Sequence, residues 1–343
     1  VEVSGVFVGG LGAVSPAGWG VAALGQALDK NEPIPVKDLP RPGWDKPLQV
    51  RPVPAPPAPP AFLAHPRLRR AGAMAQHAVA AALEAMNGRG APARVGIIVT
   101  MLAGLVTYTR RFYEEVLRDP ATASPLIFPE TVFNAPASHL AAYLGSTAPN
   151  CTLVGDEGMF LQGLGLAAQW LAEEEVEACV VIGVEELDWL VPDALRLFSR
   201  GAIYGSGAGA LYLTKKSGGA VAELAAVTDS FSITLAQTRL EAARKARSQL
   251  PPQGPGELLC ASVRNLPRGD AAENAAWQDW TGPRLRPKAI LGEALGASAA
   301  WQCVAACNAI GRHGFAAANV SVVGASQQAI GARFTRAGLR SQS

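Results

Sequence analysis

Twice in this chain an apolar segment turns through glycine into a helix built of small and apolar residues, at 151–171 and at 288–310. The first helix reads "GMFLQGLGLAAQWL" and the second "LGASAAWQCVAACNAI". A helix that is apolar or small on every side belongs inside a protein, with packed layers around it. The repetition points to an internal duplication. Alternation of β and α along the rest of the chain predicts a layered α/β protein. The 343 residues, 49% hydrophobic, supply a core large enough for one domain or two tightly packed halves.

Composition removes several classes of function. A net charge of +2 is too small to imply nucleic acid, and no apolar run is long enough to span a membrane. The five cysteines, at 151, 179, 260, 303 and 307, are spread through apolar stretches and read as reduced core thiols of a cytoplasmic protein. Cys303 and Cys307 stand four apart on one helix, but no His or Cys pair completes a metal site. No secretory signal is visible. Gly10 and Gly12 open a dinucleotide fingerprint whose third glycine falls at Ser15, so that reading is set aside and no cofactor is expected.

Local patterns predict the elements. Helices are expected over 67–86, 103–118, 136–144, 239–250, 270–280 and 294–310. Buried strands are expected at 93–101 and 177–187, from their continuous apolar runs. Further β structure is expected at 3–18, 205–216, 220–231, 257–263 and 319–324, and a strand or turn at 288–292. Residues 51–62, "RPVPAPPAPPAF", form a polyproline-type surface segment.

The first turn, "GDEG" at 155–158, offers a carboxylate where many α/β enzymes place a nucleophile. Glu157 is therefore either a catalyst or the mark of a lost one. At the start of a helix its charge is electrostatically favoured by roughly 0.3–1 kcal/mol, which predicts a lowered pKa and poor nucleophilicity. An acyl group on a carboxylate would also be an anhydride, a poor carrier.

The chain resembles the β-ketoacyl synthases of the thiolase fold over nearly its whole length. Asn134, His139, Gly145 and Pro149 in "VFNAPASHLAAYLGSTAPNCTLVGDEG" fit the family run that leads to the active-site turn. "GSGAGALYL" resembles a glycine-rich strand entry with Ser206 in place of glutamate, and "LGEALGASAAWQ" resembles the start of the helix that carries a histidine. The resemblance implies duplicated halves in an α-β-α-β-α sandwich, here 1–216 and 217–343, and a dimer. It also implies three functional positions, a cysteine and two histidines. The thiolate takes the acyl chain, and the histidines assist decarboxylation and stabilise the enolate. All three positions differ here: Glu157 stands for the cysteine, Ser262 for the first histidine and Glu293 for the second. The C-terminal glycine-rich loop is degraded to "VVGASQQA".

Such a chain resembles the chain-length factors of type II polyketide systems, including those making polyenes. These are catalytically silent partners of an active ketosynthase that shape the acyl tunnel at the heterodimer interface. The resemblance places Phe128, Phe133 and Met159 near that interface as candidate tunnel-wall residues. It makes Arg110 and Arg111 candidate contacts for an acidic acyl carrier protein, with Arg67, Arg69 and Arg70 as a second basic cluster. Two other readings stand beside it: a decarboxylase or acyl-transfer enzyme in which Glu157 and Glu293 share a proton, and a homodimeric acyl-binding pseudoenzyme.

Overall fold

The structure is a computed structural model and describes residues 3, 5–86, 94–324 and 327–338. In chain order the strands are β1 (Phe7–Ser15), β2 (Gly18–Trp19), β3 (Lys37–Leu39), β4 (Leu48–Arg51), β5 (Val95–Met101), β6 (Asn150–Val154), β7 (Ala178–Glu185), β8 (Tyr204–Gly205), β9 (Gly207–Thr214), β10 (Ala222–Val227), β11 (Phe231–Ser232), β12 (Glu257–Cys260), β13 (Arg284–Leu285), β14 (Ala317–Val323) and β15 (Gln328–Thr335). The α-helices are α1 (Val21–Lys30), α2 (Ala73–Ala85), α3 (Val106–Arg118), α4 (Ala135–Leu144), α5 (Met159–Ala172), α6 (Leu190–Leu195), α7 (Arg239–Ser248), α8 (Pro267–Ala276), α9 (Pro287–Leu291) and α10 (Gly296–His313).

Two half-sheets repeat one topology. In the first half the order is β1-β9-β7-β5-β6, and in the second it is β10-β15-β14-β12-β13. In each half the three outer strands run parallel and the next is antiparallel to its neighbours. An antiparallel pairing of β1 with β10, Phe7 opposite Glu223 and Val8 opposite Ala222, joins the halves. The equivalent helices α5 and α10, which follow β6 and β13, lie between the half-sheets and pack on strands of both. Helices α2 and α4 cover the outer face of the first half, and α7 and α8 that of the second. The result is a five-layered α-β-α-β-α sandwich.

Small residues make this stacking fit. A Cβ on Gly183 of β7 would stand 2.4 Å from the Gly296 carbonyl oxygen, and one on Gly209 of β9 would stand 2.8 Å from Ala300 Cβ. Close approach of α10 to the first half-sheet therefore requires glycine there. Gly10 and Gly12 serve the same purpose on the other face, where a Cβ would strike the carbonyl oxygens of Ala85 and Ala81 on α2. The glycine pair that imitates a nucleotide fingerprint is a packing device.

Several expected boundaries shift. The helix expected from residue 67 begins at Ala73, after a turn through 66–70 and an extended Gly72. Of residues 288–292, expected as strand or turn, 288–291 belong to the short helix α9, which Pro287 opens at a position where a missing N–H costs nothing, and Gly292 caps it. The strand expected to reach residue 263 stops at Cys260, and α8 begins three residues earlier than expected, at Pro267.

Candidate functional site

The turn between β6 and α5 is pinned to the second half of the molecule. Asp156 and Glu157 are each 1% exposed. Asp156 Oδ2 accepts hydrogen bonds from the Gln327 and Gln328 backbone N–H groups at 2.8 and 3.3 Å. A Cβ on Gly158 would lie 2.7 Å from Ile330 Cγ2, so only glycine lets the turn press against β15. Two residues of the degraded loop, Ala325 and Ser326, lie outside the described residues.

Glu157 and Glu293 come together, with Lys288 between them. Lys288 projects from α9, and its Nζ donates to Glu157 Oε2 and, at 3.0 Å, to Glu293 Oε2. All three side chains are about 1% exposed. Glu293 Oε1 also accepts from the Leu295 N–H at 2.9 Å and the Ser298 hydroxyl at 2.8 Å. Arg264 Nη1 stands 3.7 Å from Glu293 Oε2. Glu157 Oε1 has no hydrogen-bond partner.

This unequal supply of donors decides which carboxylate holds the charge. Burial opposes ionisation of both. For Glu293, Lys288 and Arg264 overcome it and hold the carboxyl below its ordinary range. For Glu157, burial and the charge of Glu293 prevail over Lys288, and its pKa rises to about 8. The lowered pKa expected at a helix start is thus reversed, because the carboxyl is buried. Burial also opposes the Lys288 charge, but Glu157 and Glu293 outweigh it and the ammonium is held above its ordinary range.

Ser262 does not join this cluster. Its hydroxyl donates to Glu273 Oε2 at 2.7 Å, its N–H donates to Glu273 Oε1 at 2.9 Å, and its Oγ accepts from the Val323 N–H. The residue of that segment that reaches Glu293 is Arg264. Sequence reading missed Lys288, Arg264 and Tyr204. For Lys288 the one available signal was a lone charge inside the apolar run before Glu293.

None of the five cysteines lies in the turn between β6 and α5. Cys151 is the second residue of β6, at the opposite end of the strand from the turn, and burial raises its pKa. The other four cysteines are buried, and burial raises their thiols as well. His139 on α4 pairs with Glu130 at 2.9 Å.

Phe128 and Phe133 stand on the surface, 54% and 46% exposed, and are not core residues. Phe128 packs on Phe112 of α3, and the Phe133 carbonyl accepts from the Thr152 hydroxyl of β6 at 3.4 Å; β6 is hydrogen-bonded on one side only and ends the sheet, with its last residue, Val154, 47% exposed. Met159 opens α5 and folds back on the β6–α5 turn, its Cγ 2.8 Å from where a Gly155 Cβ would be. Arg110 pairs with Asp188 at 2.9 Å and Glu114 at 2.7 Å, and Arg111 stands 3.6 Å from Glu115. Among the described residues no helix is long and apolar enough to cross a membrane.

No family model matches the chain, and no curated protein matches its sequence. Solved structures do match. "The ishigamide ketosynthase/chain length factor" superposes with a TM-score of 0.81 at 16% identity, over 97% of this chain and 99% of that one. A β-ketoacyl synthase from Burkholderia phymatum gives 0.79 at 16% identity, over 98% and 100%. AntDE:AntF, a type II PKS acyl-carrier protein in complex with its ketosynthase bound to the hexaketide, gives 0.77 at 16% identity, over 96% and 99%. The chain therefore has the ketosynthase-like thiolase fold that its sequence resembles.

Proposed function

We propose that this chain is a catalytically silent chain-length factor. It pairs with an active ketosynthase and forms part of the acyl-tunnel wall in type II polyketide synthesis, with highly reduced polyene chains among the candidate products. The observation that carries the reading is the occupied turn. Where a ketosynthase needs a thiolate, this chain has Glu157, buried and bound to Lys288. A carboxyl so placed neither presents a nucleophile nor stabilises an enolate, because Glu293 keeps its own negative charge beside it.

The exposed side of β6 supports the partnership. An unpaired edge strand beside exposed apolar residues is a template for another chain. A ketosynthase partner would extend the sheet there and cover Phe128, Phe133 and Val154. It would supply the cysteine and histidines, and its carrier protein would bring the growing chain.

The test is native mass spectrometry of the protein purified from its producing cells, followed by peptide identification. A one-to-one complex with a protein carrying an acylatable cysteine is the expected result. A stable homodimer overturns the heterodimer reading. Loss of carbon dioxide from malonyl carrier protein with this chain alone, and not with Glu157→Ala, overturns catalytic silence.

A further inference from the structure

One nearly buried arginine has no counter-charge. Arg51 ends β4 and is 9% exposed. Its Nε donates to the Ile34 carbonyl at 2.6 Å and its Nη1 to the Ala289 carbonyl of α9 at 3.4 Å. Its Nη2 donates to no described residue, and no carboxylate among the described residues pairs with it. Burial pulls its pKa down, and no neighbouring charge pushes it back. A guanidinium keeps its charge in a protein, and a buried charge without a partner is costly.

Arg51 lines a cavity of about 220 Å³ that no residue of the β6–α5 turn reaches. Arg264 and Asn265 line it too, as do Lys288 and Glu293. The Arg264 side chain is only 12% exposed, yet its nearest carboxylates stand at 3.7 and 3.9 Å, beyond hydrogen-bond distance. Lys288 commits two of its three ammonium protons, to Glu157 and Glu293. The lining thus carries three cations against one carboxylate, and that carboxylate is already served by Lys288, Ser298 and the Leu295 N–H. The excess of positive charge favours an anion. The volume is about that of seven liquid waters, below the range of drug-sized ligands. A tetrahedral ion and a few waters fill it.

We propose that this cavity binds one small inorganic oxyanion, phosphate or sulfate, whose oxygens accept hydrogen bonds from the Arg51 and Arg264 guanidinium groups. Charge-assisted bonds from an arginine fork are the strong kind, and both forks have N–H groups to spare. Asn265, exposed at the cavity, offers a further amide donor. The ion joins β4 of the first half to the chain after β12 of the second. It takes no part in acyl chemistry, and the inference does not depend on the chain-length-factor reading.

The test is isothermal titration calorimetry on the full chain, or on its complex if it purifies as one, with phosphate, sulfate, nitrate and phenyl phosphate at matched ionic strength. Phosphate or sulfate binds once per chain, about tenfold or more tighter than nitrate, and their order identifies the ion. Phenyl phosphate separates a free ion from an ester head, which presents the same oxygens. Its ring displaces the accompanying waters, and it binds about tenfold more weakly than phosphate. Arg51→Met weakens the preferred ion about tenfold or more. Asn265→Asp, isosteric and exposed, sets a like charge at the cavity and weakens it several-fold, which covers the case in which Arg51→Met does not fold. No saturable binding, equal affinity for nitrate, phenyl phosphate binding as tightly as phosphate, or unaltered binding in the folded variants overturns the proposal.

Discussion

Lys288 Nζ bonds Glu293 Oε2 at 3.0 Å from five residues away, and with the same ammonium reaches Glu157, 131 positions earlier in the chain. One buried cation so ties the β6–α5 turn of the first half to the second half. Removing a single partner from a buried ion cluster costs roughly 3–5 kcal/mol, because it strands the charges that remain. Lys288→Met is expected to lose stability in that range, read from urea denaturation midpoints. Adding Glu157→Gln removes one stranded acid, and the double variant is expected to recover about 1 kcal/mol or more. Equal losses in the two variants would show that the three groups act independently.

The same cluster makes stability depend on pH. The Glu157 pKa is about 8 in the folded protein, above its ordinary 4.5, so the folded state holds a proton that the unfolded chain has released. Its contribution is fully present below pH 4.5 and is lost as pH rises through 8. Unfolding midpoints measured from pH 5 to 9 are expected to fall with pH and to fall less steeply in Glu157→Gln. Glu185, also raised to about 8 by burial, supplies a slope that remains in the variant. An identical slope in both proteins would remove Glu157 as a contributor.

The turn was legible in the sequence because it is local. An apolar strand, two glycines and a small-residue helix fix where Glu157 sits, whatever lies elsewhere. Glu293 was legible for the same reason, since it precedes the second such helix. Their mutual contact was not, because it depends on how α9 and α10 dock on the first half. Ser262, expected at the first histidine position, has its hydroxyl on Glu273, a partner that no spacing rule indicates. Apolar residue type likewise did not separate Phe128 and Phe133 from the core. Both lie between α3 and α4, and their exposure depends on tertiary placement that residue type does not report.

If this chain shapes a tunnel, side-chain volume at its wall sets product length. Forcing added bulk into a packed wall costs about 1–3 kcal/mol, enough to disfavour the next extension. Phe128→Trp, Phe133→Trp and Met159→Trp are each expected to shorten the product if the residue meets the chain, and the Ala variants to lengthen it. Glu157→Ala is expected to leave total product within a few-fold. Mass spectrometry of products from the reconstituted pair reads both. A length distribution unmoved by all six wall variants removes the tunnel role from these residues.

The edge of the sheet offers the cleanest separation of folding from partnership. Val154 ends β6 and is 47% exposed, and Leu126, in the segment between α3 and α4, is 68% exposed. Neither is part of the buried core, so charge at these positions is expected to change the stability of the isolated chain by no more than about 0.5 kcal/mol. In a heterodimer through β6 the same charges would be buried without partners, at a cost of several kcal/mol. Val154→Asp combined with Leu126→Asp is therefore expected to leave the melting temperature nearly unchanged and to abolish the complex with a co-expressed ketosynthase. Native mass spectrometry checks the second point. A complex of undiminished abundance would place the partner on another face and leave β6 as an ordinary solvated edge.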